Sequence, residues 1–297
     1  MSARVRWRVL VNEAAGSMPL SIRAIKDALD TAGVDHDIEV PVSVQEMRAA
    51  VAIYAARGGT HLALAGGDGT VNLAVNVLMT MPREQRPIVG VLPGGTGCDL
   101  LRTFAIPHVL GEAATHLKGD QTYQIDVGRL DGSWGRRYFV NAAQAGVGGA
   151  AAQTAEGMSR RWGRARYPIA FLARLPGFPG GAVEIDLGQR HHAGKAIAVI
   201  FANGQFFAGG WNVAPRATLM DGRLDLQVNN CAKWEAARLV PKIVRGVHLT
   251  DKAVRRYSTA GFDLLTELVW PIEADGEVVG NTPVVVSVEP GALSLKI

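Results

Sequence analysis

Residues 62–72 read LALAGGDGTVN: an apolar run that stops at three glycines set around one aspartate, with a threonine opening the next segment. An apolar run of this length suits a buried strand. Glycines directly after a strand let the backbone turn sharply and approach a ligand closely. Behind Thr70, the apolar residues Val71, Ala74, Val75 and Leu78 fall at helical spacing. A helix N-terminus offers unpaired N–H groups and a partial positive charge, a setting that favours phosphate. The loop is not a Walker A, because no Gly-Lys-Ser/Thr closes it. The G-x-G-x-x-G spacing of dinucleotide folds is also missing. Asp68 would repel phosphates unless a cation sits between them or the carboxylate orients other groups.

On either side of this loop, strand and helix patterns alternate. VRWRVLV (5–11) reads as a strand, residues 20–32 as a helix capped by Gly33, 37–40 as a strand and 45–56 as a helix. After strand 61–65 and a helix over 70–79, strand 88–92 enters a second glycine loop, PGGTGCD (93–99), with helical residues as far as Phe104. Such alternation predicts a parallel sheet with helices on both faces, and ligands lie beyond the carboxyl ends of its strands. Both glycine loops fall at that end. After Tyr123 the texture changes. QIDVGRL, RRYFVNAA, AVEIDLG, KAIAVIFANG, RLDLQVN and PVVVSVE are strand-like, and helical patterns remain only around 165–175 and 233–245. GQRHHAGK (188–195) reads as a hairpin tip, with His191 and His192 in an exposed turn. The fold expected is an α/β protein with a β-rich part. Residues 1–125 are expected to form an N-terminal three-layer α/β domain, and residues 126–297 a C-terminal antiparallel β-sandwich domain.

Of 297 residues, 48% are apolar, ample for a packed core, and the 35 glycines gather in short motifs rather than a repeat. Cys98 and Cys231 make neither a metal-ligand spacing nor a disulfide framework, which suits a reducing cytoplasm. No run of 18 apolar residues suggests a spanning helix, and the opening residues read as a first strand rather than a signal peptide. A net charge of +4 is modest and does not argue for a nucleic-acid partner. The arginines are locally dense, however. MSRRWGRARYPIAFLARLP (158–176) carries Arg160, Arg161, Arg164, Arg166 and Arg174 without an acid, interleaved with Trp162, Tyr167 and Phe171. This suits either a patch that meets anionic lipid headgroups or a solvated helix face with its aromatics in the core. The histidines show no zinc spacing, and no G-x-S-x-G elbow marks a serine hydrolase.

Four further motifs join the first loop: PGGTGCDLLR (93–102), IDVG (125–128), NGQFFAGGWNVAPRATLMDGRLD (203–225) and ADGE (274–277). Together they resemble the diacylglycerol kinase catalytic-domain family, particularly the soluble bacterial lipid kinases, and more distantly the sphingosine kinases. The family pattern G-G-D-G-T-x-N-E is matched by Gly66, Gly67, Asp68, Gly69, Thr70 and Asn72. Its P-x-G-T-x-N-D is matched by Pro93, Gly95, Thr96 and Asp99, and its A-x-x-x-D-G-x-x-D by Ala217, Asp221, Gly222 and Asp225. Its D-G-E is Asp275, Gly276 and Glu277. The resemblance spans nearly the whole chain in the family's order.

The resemblance implies an ATP-dependent lipid kinase that transfers the γ-phosphate to a hydroxyl of a diacylglycerol-like or sphingoid lipid, with residues 1–125 as the nucleotide-binding domain and residues 126–297 as the domain that holds the lipid substrate. Glu277 matches the family's general base. Asp68, Asp99 and Asp126 match acids that organise water and catalytic Mg2+. Asn12, with the two glycine loops, matches the nucleotide contacts. Asp221, with backbone carbonyls near Thr218 and Arg223, matches a structural Mg2+ site. Phosphoryl transfer needs placement and charge neutralisation more than covalent chemistry, and scattered oxygen ligands suit magnesium. On the residues alone, Asp-Gly before Glu277 equally suits an ordinary hairpin, and Asp221 before Gly222 an ordinary turn. The protein is expected in the cytoplasm, transiently at the anionic inner membrane face, with a homodimer left open. Three positions depart from the pattern: Glu13 replaces a proline, Leu73 a glutamate and Cys98 an asparagine. They alter the nucleotide wall and motivate a second reading, a non-catalytic lipid-binding or regulatory relative. A third is an NAD kinase, which shares the G-G-D-G-T loop.

Overall fold

The computed structural model describes residues 5–13, 20–94 and 98–297. The chain divides into two compact units, Met1–Ile125 with Gly291–Ile297, and Asp126–Pro290.

In the first unit, strands β1 (Arg6–Val11), β2 (Asp35–Glu39), β3 (His61–Gly66) and β4 (Ile88–Pro93) form a parallel sheet in the order β2-β1-β3-β4. Helices α1 (Ile22–Ala32), α2 (Val44–Ala56), α3 (Asp68–Leu78), α4 (Asp99–Thr103) and α5 (Leu110–His116) connect and flank them. Ser21 opens α1 by accepting the Ala24 N–H at 3.2 Å, and Gly33 closes it at φ 69°, the left-handed cap that glycine adopts without cost. Val9, Val11, Ala63, Ala65 and Leu92 pack with Ile25 and Leu29 of α1, Ala114 of α5 and Leu117 at its C-terminal cap. Leu10, Leu62 and Leu64 alternate with them and are also fully buried, as are Val51 and Ala55 of α2 and Ala74 of α3. These are the three layers the sequence predicts. One boundary differs: α3 starts two residues earlier than its apolar spacing indicates, so Asp68 is its first residue, where a carboxylate meets the positive end of the helix.

The second unit is antiparallel. It holds β5 (Thr122–Gly132, from Asp126 on), β6 (Gly135–Phe139), β7 (Ala142–Gly146), β8 (Gly181–Asp186), β9 (His191–Ala196), β10 (Ala198–Ala202) and the short pair β11 (Phe206–Phe207) and β12 (Trp211–Asn212). β13 (Leu224–Asn229), β14 (Val254–Thr259), β15 (Gly261–Thr266), β16 (Pro271–Ala274), β17 (Glu277–Asn281) and the start of β18 (Val284–Lys296) complete it. One sheet runs β14-β13-β10-β7-β16-β17, and β18, β15, β8 and β9 pair in succession in the other. Val199, Phe201, Leu226 and Ile272 of the first meet Ile185, Phe262, Leu264 and Val286 of the second in one core, the sandwich expected. The last residues of β18 return to the first unit, where Leu295 pairs in parallel with Val89.

Three helices lie in the second unit: α6 (Val147–Glu156), α7 (Arg166–Arg174) and α8 (Lys233–Val244). The sequence predicts the last two and misses α6, because Gly148, Gly149 and a run of alanines give no periodic signal. The glycines are there for packing. A Cβ on Gly149 would lie 2.1 Å from the Pro271 carbonyl oxygen, so α6 sits directly on the β16 backbone. His192 is also corrected. It lies in β9 rather than an exposed turn, 9% exposed, with Nδ1 2.9 Å from the Tyr257 hydroxyl. Among the described residues no helix is long and apolar enough to cross a membrane.

Replacing Gly149 by alanine forces α6 off β16 and is expected to cost roughly 1–3 kcal/mol of stability. Urea denaturation of the two proteins measures the difference; equal midpoints would show that the two backbones do not meet this closely.

Candidate active site

In the first unit the two glycine loops touch. β3 and β4 are adjacent and parallel, so both loops leave the same sheet end. The Gly94 N–H donates to the Gly66 carbonyl at 2.8 Å, and a Cβ on Gly94 would fall 2.5 Å from Gly66 Cα. Thr70 folds back over Gly66, where a Cβ would meet its hydroxyl at 2.4 Å. The Thr70 hydroxyl accepts from Asn12 Nδ2 at 2.8 Å, which brings the end of β1 to the same place. Asp68 Oδ1 accepts the Asp99 N–H at 2.7 Å and so ties the start of α4 to the start of α3. Gly67 is the N-cap of α3, and Gly69 is exposed with open space where its Cβ would be. The starts of α3 and α4 thus lie in one patch with Gly66, Gly67, Gly69 and Gly94, an arrangement suited to phosphate. Asn72 faces inward instead. It is buried, and its Oδ1 accepts from Asn76 Nδ2 at 3.0 Å. Gly95 and Thr96 lie outside the described residues. Cys98 is buried, and burial with the nearby Asp68 charge holds its thiol well above the usual range, so it stays protonated and inert. Glu13 is exposed and Leu73 half-buried.

In the second unit a separate set converges. Asp126 is buried; its N–H donates to the Leu219 carbonyl at 2.6 Å, and its Oδ2 accepts the Gly222 N–H at 2.7 Å. Asp126 therefore braces the turn that carries Thr218, Asp221 and Arg223. Within that turn Asp221 Oδ1 accepts the Arg223 N–H at 3.0 Å. Asn203 Nδ2 donates to the carbonyls of Asp126 and Val140 at 2.8 and 2.9 Å. Next to it, Asp275 accepts three backbone N–H groups, from Val140 at 2.7 Å, Asn141 at 2.9 Å and Ala142 at 3.2 Å. Asp275 and Gly276 both have positive φ, 47° and 92°, and join β16 to β17 as a two-residue hairpin with Ala274 opposite Glu277. Glu277 is exposed at the first position after that turn. Among the described residues no group of three or more histidine, cysteine or carboxylate side chains is placed to hold a metal ion. The Asp221 turn offers oxygen donors only, a set that fits a hard cation such as Mg2+.

Beside the hairpin, the six-stranded sheet, α7 and α8 border a narrow pocket of about 50 Å³ that opens partly to solvent. Its walls are almost wholly apolar, among them Phe171, Ile200, Phe207, Trp211, Leu239 and Ile243. An almost wholly apolar lining with a few convergent polar groups is that of a small-molecule site.

Residues 6–130 match the family model described as the diacylglycerol kinase catalytic domain, and residues 141–297 match the YegS C-terminal NAD kinase beta sandwich-like domain. The chain belongs to the diacylglycerol kinase-like lipid kinases. It is 28% identical over 268 residues to a protein of Cronobacter sakazakii named "Probable lipid kinase YegS-like", covering 88% of this chain and 87% of the relative. A protein of the same name from Serratia proteamaculans is 30% identical over 172 residues, 58% of this chain and 55% of the relative. The crystal structure of a diacylglycerol kinase from Bacillus anthracis shares the fold, with a TM-score of 0.75, 18% identity and coverage of 98% of this chain and 96% of that one.

For a lipid kinase, the buried residue that sequence reasoning missed is Glu273. It is fully buried in the pocket wall, where Oε2 accepts from Gln144 Nε2 at 2.8 Å and Oε1 accepts the Gly276 N–H at 2.5 Å. Burial, helped by the Asp275 charge and opposed by these two hydrogen bonds, pushes its carboxyl from 4.5 up to about 8. Only the two-residue offset from the D-G-E motif hints at it in the sequence. Between these pH values the folded protein holds one more proton than the unfolded chain, so Glu273 favours folding at low pH and loses that contribution as pH rises through about 8. Unfolding curves between pH 5 and 9 should therefore show a downward slope in stability that is shallower in Glu273→Gln. Parallel slopes would mean that the carboxyl ionises normally.

Proposed function

We propose that this lipid kinase transfers the γ-phosphate of ATP to a hydroxyl of a diacylglycerol-like or sphingoid lipid. The observation that carries the lipid half is the pocket of the second unit, whose lining is almost wholly apolar, as contact with hydrocarbon requires. The nucleotide half rests on the paired glycine turns. Gly66, Gly67, Gly69, Thr70, Gly95, Thr96 and Asn12 would bind the phosphates through backbone N–H groups and the Asn12–Thr70 pair. Asp68 and Asp99 would orient water and ions around them. Asn72 serves the same segment from inside α3, by holding its first turns through Asn76.

Glu277 takes the proton from the lipid hydroxyl as the new O–P bond forms and the bond from phosphorus to the ADP oxygen breaks. A carboxylate accepts that proton best while it leaves. The hairpin fixes the base: Asp275 pins the turn from one side, and Glu273 holds the Gly276 N–H from the other. Asp221, with carbonyls of Thr218 and Arg223, would hold a structural Mg2+ in the turn that Asp126 braces. Magnesium, when bound, neutralises phosphate charge.

Contact with an anionic membrane surface is assigned to α7 and the residues before it. α7 points Tyr167 and Phe171 into the pocket and leaves Ile169 and Leu172 exposed, while Trp162 is 56% exposed beside the exposed Arg161. Apolar side chains among arginines suit shallow insertion between headgroups. The same helix would thus meet the membrane and line the lipid pocket.

Purified protein with labelled ATP, Mg2+ and a lipid panel should yield a labelled lipid. Asp68→Ala should abolish labelling, and Glu277→Gln should lower kcat by about 10²–10⁴. Labelling that survives Asp68→Ala would overturn the assignment. Magnesium-dependent ATP binding in calorimetry separates this reading from a non-catalytic relative.

A further inference from the structure

Among the side chains lining the pocket, Asn229 and Cys231 are polar, and the other polar ones, Gln144, Tyr167 and Glu273, form one hydrogen-bonded group. Their hydrogen bonds can be counted. Gln144 Nε2 donates to the Tyr167 hydroxyl at 2.7 Å and to Glu273 Oε2 at 2.8 Å, which spends both amide hydrogens. Glu273 Oε1 takes a third donor, the Gly276 N–H. With the Gln144 amide in this orientation, every partner of the Tyr167 and Glu273 oxygens is a donor. A phenol and a protonated carboxyl each carry a hydrogen of their own. Among the described residues neither hydrogen has a named acceptor. Burial raises both groups, so both keep their protons at neutral pH. Glu273 is fully buried and Tyr167 half-buried, and donors that face an apolar space without an acceptor are costly unless a ligand or water brings one.

We infer that the Tyr167–Gln144–Glu273 cluster is a specificity site that receives a carbonyl oxygen of the lipid, so that the pocket selects ester- or amide-linked acyl lipids over dialkyl ethers and over long-chain amino alcohols. An ester carbonyl offers lone pairs and no hydrogen, matching a site that has donors to spend. An ether oxygen is a poorer acceptor. An ammonium brings more donors to a place already filled with them. Tyr167 is held for this task by edge-on rings of Phe207 and Trp211, at centroid distances of 5.3 and 5.8 Å. Glu273 also fastens the Gly276 N–H, so the residue that reads the acyl group is one bond network away from the turn that carries Glu277.

This inference rests on the lipid-kinase reading of the pocket, and its test is chosen to separate the two. Calorimetry with the full chain compares a short-chain diacylglycerol, its dialkyl ether of equal chain length, and a long-chain amino alcohol. The diacylglycerol should bind about tenfold more tightly than the ether. Tyr167→Phe removes one oxygen while leaving the ring contacts, and should bring the ester-to-ether ratio toward one. Glu273→Leu should do the same, whereas Glu273→Gln, which keeps an N–H donor, should retain most of the preference. Equal binding of ester and ether by the wild type, a ratio unchanged in Tyr167→Phe, or tighter binding of the amino alcohol would each overturn the inference. Because binding is read without turnover, an intact ratio with no lipid phosphorylation would count against the kinase reading alone. Equal phosphorylation of ester and ether lipids would count against the acyl-reading cluster alone.

Discussion

The approach of Gly94 to Gly66 sets the terms for the first unit. Two parallel strands end side by side, and their turns come so close that a single methyl group on Gly94 would collide with the neighbouring backbone. Everything proposed for nucleotide binding needs that proximity, because the helix starts behind the turns present their N–H groups together only if the turns stay together. Asp68 adds the second tie by accepting the Asp99 N–H. A carboxylate among proposed phosphate contacts, puzzling as a bare letter, is thereby a fastener for the loops as well as a candidate ligand for ions.

The second unit uses aspartate in the same way, at higher density. Asp275 spends its carboxylate on three successive backbone N–H groups, and Asp126 spends one oxygen on the Gly222 N–H. Hydrogen bonds to a charged group contribute roughly 1.5–3 kcal/mol each. Such anchors suit loops that hold the proposed base and the proposed cation turn in fixed positions. Glu273 lies behind them and works in the opposite charge state, neutral through burial, where it can serve an apolar pocket without an uncompensated charge.

The strand–helix alternation of the first 104 residues was readable because each element carries its period and its punctuation, as with Ser21 and Gly33 around α1 or the glycines after β3. The antiparallel texture beyond Tyr123 was readable for similar reasons. α6 was not, since its glycines answer to the backbone of β16, a partner more than a hundred residues away. The motif residues of the site could be named from order and spacing, yet their contacts could not: Asn72 turns to Asn76, and Asp126 to Gly222. Gln144 was silent as a letter, Tyr167 showed only as one aromatic of a basic stretch, and Glu273 only as a neighbour of the D-G-E motif. Nothing near them in sequence reveals that three distant segments meet at one wall of a cavity, which only folding brings about.

The division of β18 has a consequence for how the protein is made. A chain emerges from the ribosome in order, and domains tend to fold as they emerge. Here Val89 waits for Leu295, so β4 keeps a bare edge while the whole second unit is synthesised. The first unit to be translated is therefore the last to be completed, and an unpaired parallel strand edge is exposed to wrong partners for that interval.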